Sequence, residues 1–365
     1  MKNTFGNEIT YTLFGESHGP CIGITIDGLC AGLRADEEYM KKELAKRRAS
    51  GLYSTARNEE DVPVILSGVK AGFTEGTPVT IVIFNRNVKS DDYAEIREKA
   101  RPSHADYAAE MKYLGFQDVN GGGHFSGRLT APIVAGASLV RKALQEKGIT
   151  VGTHIKSLAG IEDRGFNDLE TDLRQLNEKN FAILDEEKGE EMKKAILAAR
   201  EEKDSLGAVL ETGVTGLMAG IGEPVFDSME SVIAHGLFAI GGIKGVEFGD
   251  GFALSSLKGS QANDGFHVEN GRVITETNHN GGINGGISNG MPIIIRSAVK
   301  PTPSIGKRQK TINYKTMENT EIEITGRHDP CIAVRARAVV DSVVVMCLAE
   351  LLVQRHGCLW LRNDV

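Results

Sequence analysis

Residues 8–28 read EITYTLFGESHGPCIGITIDG. Two runs, EITYTLFG and CIGITIDG, flank the turn ESHGP, and the second alternates apolar and small or polar residues before closing on Asp27-Gly28. A period of two marks a half-buried strand, and Asp-Gly marks a turn. Strands joined by so short a turn pair antiparallel, because parallel neighbours need a long crossover.

The same grammar continues outward. Residues 36–48, DEEYMKKELAKRR, suit a helix with acids in its first turn and bases in its last, matching the helix dipole. PVILSGV (63–69) and TPVTIVIFN (77–85) read as strands, and 92–115 as helix in two pieces split by Arg101-Pro102. A glycine-rich loop, NGGGHFSGR (120–128), leads into a helical pattern over 131–148. The charge-rich 161–206 segment reads as a peripheral helical excursion from a single 1–365 domain. Strands return at 208–217, 241–249 and 291–299, and a buried helix closes the pattern near 338–355. Alternating strands with recurring hairpin signals predict an α+β fold with antiparallel sheets rather than a doubly wound parallel sheet.

The net charge of −7 argues against general nucleic-acid binding, which depends on basic surface. Five scattered cysteines with no Cys-x-x-Cys suit reduced thiols rather than a disulfide framework. MKNTFGNEIT has no apolar signal core, and AVVDSVVVMCLAELLV (338–353) is interrupted by Asp341, Ser342 and Glu350. The expectation is a cytoplasmic protein with no membrane span. Glycine is in excess, 43 residues or about 12% of the chain against a usual ~7%, and it falls in blocks.

Those blocks hold the reactive side chains. His18 lies in FGESHGP, His104 in RPSHADY, His279 in NHNGG and His328 in GRHDP. A turn histidine bonded to backbone is the plain reading of any one of them; four in such turns point equally to chemistry. No His-Glu-x-x-His, paired cysteine or short-spaced histidine pair exists, so no metal site is expected. Arg47, Arg48, Arg57, Arg101, Arg128 and Arg327 fall at loop or element boundaries, and three of them lie within four residues of a histidine. A permanently charged fork suits carboxylate or phosphate ligands. Asp329 reads either as the cap of an Asp-Pro turn or as a base tuned by its cationic neighbours. NHNGGINGGISNGMP (278–292) fits neither the dinucleotide fingerprint nor a P-loop, and serves equally as an amide nest or as plain turns. Residues alone thus predict an enzyme for an anionic metabolite with a phosphorylated cofactor.

In combination, FGESHG (14–19), RPSHADY (101–107), GGG…GR (121–128), GIKGVEFGDGF (242–252), NHNGGINGGISNG (278–290), VKPTPS (299–304) and GRHDPC (326–331) resemble the chorismate synthase family. The resemblance implies a β-α-β sandwich of antiparallel sheets and helices. It implies an anti 1,4-elimination of phosphate and a ring proton from 5-enolpyruvylshikimate 3-phosphate, giving chorismate for aromatic amino acid biosynthesis. Reduced FMN is required without net redox change, with NADPH as reductant directly or through a separate flavin reductase, and a homotetramer is expected. By motif, His18 protonates the leaving phosphate, His104 sits by the flavin, and Asp329 assists removal of the ring proton there. Ser17, Arg47, Arg101, Arg128 and Arg327 bind the substrate anions. The flavin cradle comprises His124, Phe125, Ser126, Gly241, Gly242, Gly285, Lys300, Pro301, Thr302, Pro303, Ser304 and Arg327.

Departures from the family pattern are local. Arg48 is followed by Ala49-Ser50-Gly51 where Arg-Pro-Gly is usual, one residue is missing, and Leu52-Tyr53 stand near the place of a further arginine. That loss bears on a nicotinamide-nucleotide contact at Arg47. RPGHADY has become RPSHADY, and His124-Phe125 replace Arg-Ser. The alternative to the lyase is a flavin- or phosphate-binding homologue that has lost this reaction.

Overall fold

The computed structural model describes residues 2–48, 53, 60–86, 98–324 and 329–363. Every strand pairing in it is antiparallel. The first sheet runs Thr4–Phe5, Thr10–Gly15, Cys21–Asp27, Val79–Phe84, Pro63–Ser67 across its width. The second runs Ile243–Phe248, Ile293–Val299, Ala208–Thr215, Thr150–Leu158, Ile161–Glu162. The opening stretch behaves as its alternation predicts: Tyr11 pairs with Ile26 and Leu13 with Ile24. Ile22, Ile24, Ile26, Val79, Ile81 and Ile83 are all buried on the inner face.

Two long helices fill the space between the sheets. Thr130–Glu146 lies on the first sheet and Ala333–His356 on the second, and the two pack on each other. Gly136 brings the former helix close. A Cβ there would stand 3.0 Å from the terminal methyls of Ile24 and Ile26, so the helix uses the missing side chain to approach the sheet. The 24-residue Ala333–His356 helix is buried around most of its circumference, so its apolar residues face every side and its interruptions, Asp341, Ser342 and Glu350, are themselves buried. Among the described residues no helix is long and apolar enough to cross a membrane. Glu37–Arg47, capped by Asp36 accepting from Tyr39 N at 3.0 Å, packs against both long helices. A buried ionic cluster ties the three helices together. Glu43 meets Lys46 at 2.7 Å and Arg141 at 3.1 Å, Arg141 faces Asp341 at 3.7 Å, and Thr153 of the second sheet donates to Asp341 at 2.6 Å.

The 161–206 segment does more than skirt the molecule. Its helices, Leu169–Glu178 and Glu186–Glu201, contribute Leu173, Leu176, Met192 and Ile196 to buried clusters. Leu173 lies over Gly152 and Gly213 and covers the outer face of the second sheet. Its high charge belongs to the solvent side of amphipathic helices, with the apolar stripe beneath. A ladder of alternating charge crosses the same face, about one group per strand. His154 Nδ1 is 2.7 Å from Asp163 and Nε2 is 3.0 Å from Glu211; Arg296 lies 3.8 Å from Glu211 and 2.6 Å from Glu247. Carboxylates accept, so both nitrogens of fully buried His154 donate and the ring is an imidazolium. Burial alone would lower its pKa, but the bonds to Asp163 and Glu211 raise it above the ordinary histidine value.

Of the two helical pieces expected over 92–115, Asp106–Tyr113 is helix, while 87–97 lie outside the described residues.

Candidate active site

The strand Thr10–Gly15 runs into the turn that carries Ser17 and His18, and the next strand leaves it at Cys21. Ser17 is buried, its Oγ 3.0 Å from His18 Nδ1. Ser17 N donates to Gly123 O at 3.1 Å, so the turn is laced to the glycine-rich loop, a segment distant in the chain. Gly121 explains the first of the three glycines. At φ 66°, it lies so near the imidazole that a Cβ would stand 2.2 Å from His18 Cε1 and 2.5 Å from Nδ1. Only glycine leaves that ring its place. His124 Nδ1 is 2.9 Å from Gly15 O; a carbonyl accepts, so this nitrogen carries the proton and pins the loop to the strand end.

Beneath the loop the arginines are engaged, Arg47 buried and Arg128 and Arg335 half-buried. Arg47 donates to Thr130 Oγ1 at 2.7 Å, to Gly127 O at 2.8 Å and to Asp61 Oδ2 at 2.9 Å. Arg128 donates to Asn85 Oδ1 at 2.7 Å and to Asp61 Oδ1 at 2.5 Å. Arg335 connects this group to Asp329, with Nη1 to Asp329 Oδ2 at 2.6 Å and Nε to Arg47 O at 2.9 Å. Ser126 caps the turn after it, accepting from Arg128 N at 3.3 Å.

Beside the loop lies a shallow cleft, partly open to solvent, lined by Arg101, His104, Asp106, Gln117, Phe125 and Tyr314 among others. Asp106 organises it. Its carboxylate accepts from Arg101 Nε and Nη2, both at 2.7 Å, and lies 2.6 Å from His104 Nδ1. Desolvation would raise the carboxyl pKa, yet the bonds from Arg101 and His104 hold it well below the usual carboxylate range. Phe125 meets Tyr113 edge-on, ring centroids 6.1 Å apart, and is partly exposed to the cleft.

The 300–304 run is joined to this cleft from the second sheet. Lys300 Nζ donates to Ser103 O at 2.5 Å, and Lys300 N to Gly242 O at 2.9 Å. Gly241 precedes that contact, and Pro301 through Ser304 continue from it. Ser205 Oγ fixes Thr302 O at 2.7 Å, while Ser304 is buried. Thr302 Oγ1 and Gln117 Oε1 are buried without a hydrogen-bond partner among the described residues.

The expected site residues therefore fall into one neighbourhood with two exceptions. Ser17, His18, Arg47, His124, Phe125, Ser126 and Arg128 gather at the glycine-rich loop. Arg101 and His104 share the adjoining cleft with Phe125, Lys300 and Gly242 join through Ser103, and Asp329 joins through Arg335. Gly285 sits apart, in a hairpin docked by Met229 N to Gly286 O at 2.9 Å, at the Ile293 end of a strand whose Val299 end leads to Lys300. Arg327 and His328 lie outside the described residues. Sequence reasoning passed over Asp61, Asn85, Asp106 and Arg335. Asp106 was readable inside RPSHADY; Asp61 offers no local signal, since its partners are 14 and 67 residues away.

A family model described as chorismate synthase matches residues 9–353. Chorismate synthase of Pyrococcus abyssi is 42% identical over 351 residues, covering 96% of this chain and 98% of the relative. That of Dehalococcoides mccartyi is 44% identical over 353 residues, covering 96% of each. A crystal structure of chorismate synthase superposes with a TM-score of 0.75 at 27% identity, covering 96% of this chain and 94% of the other.

Proposed function

The chain belongs to the chorismate synthase family, and we propose that the loop-and-cleft neighbourhood of His18, Arg101 and His104 carries the family's reaction. Members are lyases of aromatic biosynthesis. They convert 5-enolpyruvylshikimate 3-phosphate to chorismate and inorganic phosphate by anti 1,4-elimination. The electron pair of a ring C–H bond forms a new double bond, the existing one shifts, and phosphate departs with the C–O pair.

In this reading His18 delivers a proton to the departing phosphate. The single observation that carries it is the fixing of the imidazole between Ser17 Oγ and the Cβ-free face of Gly121. A general acid works only when held in reach of the oxygen it protonates. Arg101 faces the cleft with its fork set by Asp106 and binds an acid group of the substrate. His104, tied to the same carboxylate, holds one ring nitrogen fixed and turns the other edge toward the ligand. Asp329 takes part in removing the ring proton, with Arg335 orienting it. Arg47, buried, and Arg128, half-buried, are both bonded to Asp61 and shape the floor rather than grip substrate directly.

Reduced FMN, the family's cofactor, fits the residues present. Phe125 and Tyr314 offer aromatic surface, Lys300 a cation, and Thr302 Oγ1 and Gln117 Oε1 are orphaned polar atoms suited to ring-edge or ribityl groups. When bound, it supplies an electron-rich ring that can lend electron density to the substrate and take it back. His124, Phe125, Ser126, Gly242 and 300–304 would hold it, with NADPH as the ultimate reductant, directly or through a separate reductase.

Phosphate release from 5-enolpyruvylshikimate 3-phosphate, measured anaerobically with chemically reduced FMN, tests the reading. Chorismate at an enzymatic rate is expected. Saturable FMN binding without turnover would instead mark a binding-only homologue. The same reading carries a single cooperative domain and a homotetramer. Phe266, Val268 and Val273 on one face of a hairpin are 62%, 72% and 59% exposed, apolar surface suited to burial against another copy. Sedimentation equilibrium at a monomer mass would overturn the tetramer.

A further inference from the structure

We propose that Asp61 is a positioning residue that keeps the His18 turn and the glycine-rich loop in register, an inference resting on the assignment of His18 to the leaving phosphate. Two hydrogen-bonded arms leave its carboxylate. One passes from Oδ1 to Arg128 at 2.5 Å, from Arg128 Nε to Asn85 Oδ1 at 2.7 Å, and from Asn85 Nδ2 to Glu16 O at 3.1 Å and Gly19 O at 2.7 Å. Those two carbonyls bracket Ser17 and His18. The other passes from Oδ2 to Arg47 at 2.9 Å, then from Arg47 to Gly127 O at 2.8 Å and Thr130 Oγ1 at 2.7 Å. That arm ends where the glycine-rich loop enters its helix.

One buried carboxylate thus joins the segment that carries the imidazole to the segment that Gly121 presents to it. No strand pairing performs this task, because both ends are loops. Charge adds a reason for aspartate. Two guanidinium groups buried side by side repel, and a shared carboxylate lets both stay fixed with their forks in place. Asp61 itself is held at φ 44°, in the left-handed region where Asp is tolerated but not preferred, as expected where surrounding contacts dictate the conformation.

The test compares wild type, Asp61→Asn, Asn85→Ala and the double variant, with Ile196→Val in the outer layer as a destabilised control. Asparagine keeps the shape of Asp61 but cannot serve both cations as a carboxylate does. Asp61→Asn should lower kcat roughly 10–100-fold with the substrate KM changed less than about threefold, the scale of supporting residues around a site. Asn85→Ala should do the same, and the double variant should be no worse than the poorer single, because both cut one chain. The ring resonance of His18 in labelled protein, assigned by its absence in His18→Ala, should move in both single variants and stay in Ile196→Val. A folded Asp61→Asn with kcat within twofold of wild type and an unmoved His18 resonance would overturn the proposal. Should Asp61→Asn fail to fold, Asn85→Ala, which spares both Asp61 ion pairs, decides the matter on the same two readouts. A wild type without turnover defeats the lyase reading instead, while the resonance still reports on Asp61.

Discussion

The charge ladder across the second sheet and the chain around Asp61 use the same chemistry to different ends. Both link buried carboxylates and cations at 2.5–3.8 Å. The ladder, however, runs over strands whose register the backbone already fixes: Glu211 faces His154 on one side and Arg296 on the other through regular pairing. Its removal would leave the strands where they are. The Asp61 chain ties loops that have no strand register to align them and that otherwise meet through the Ser17–Gly123 and His124–Gly15 bonds. Buried ion pairs are weak sources of stability, and in some proteins they specify one arrangement among several. The ladder secures an outer layer, whereas the Asp61 chain secures the geometry of a site.

The widest gap between the two regions should open with His18→Ala and Asp329→Asn. Each is expected to cut turnover by roughly 10²–10⁴ with little change in the thermal midpoint. Near-normal activity in either would remove its role. On the ladder side, Asp163→Ala leaves the buried His154 without one of its carboxylates. It should destabilise by about 3–5 kcal/mol in urea unfolding, while folded molecules keep their specific activity. A loss of kcat per folded molecule would break the comparison.

The ladder also predicts a pH dependence. His154 has its pKa raised in the fold, so its stabilisation is complete below about 6.5 and is lost as pH rises through the folded value. Asp163, held below the ordinary carboxylate value against its own desolvation by His154 and the amides of Leu184 and Asp185, works in the opposite sense. Its contribution is present above about 4 and is lost as pH falls through the lowered value. Stability should therefore peak between the two and decline above neutrality, by at most about 1.4 kcal/mol per pH unit for one proton. His154→Leu should flatten the alkaline decline; an unchanged slope would place the proton elsewhere.

The smallest effect lies in the cleft. Ser103, in the turn of RPSHADY, is held at φ 58°. Ser103→Gly should relieve left-handed strain and stabilise by about 1 kcal/mol, leaving kcat unchanged. A destabilised variant would mean that the side chain contributes more than its backbone costs.

Legibility in the sequence followed the range of the interaction. The hairpin from Thr10 to Asp27 and the helix Glu37–Arg47 rest on alternation, a cap and terminal charges, all within a few residues, and each was readable. The outer layer was half readable. Its charge was conspicuous, but the buried sides of its helices, Leu173 on one and Met192 and Ile196 on the other, show only once the elements beneath them are known. In the site, RPSHADY carries its own logic because Arg101, His104 and Asp106 bond within five residues. Arg47 was legible as a cation at a helix end but not as a buried one. Asp61 was invisible, since a carboxylate in NEEDVP resembles any acidic loop until the fold delivers two arginines to it.

The central position of Ala333–His356 has a consequence for how the chain is made. Both sheets turn their apolar faces inward, yet the helix covering the second of them is the last long element in chain order. During synthesis, Leu210, Val214, Ile293 and Ile295 emerge well before their partner does. Non-local closure of this kind slows folding and leaves sheet surface open to wrong partners. The nascent protein is thus committed to a waiting period, and a chain cut before Ala333 would lose the middle of the molecule rather than its edge.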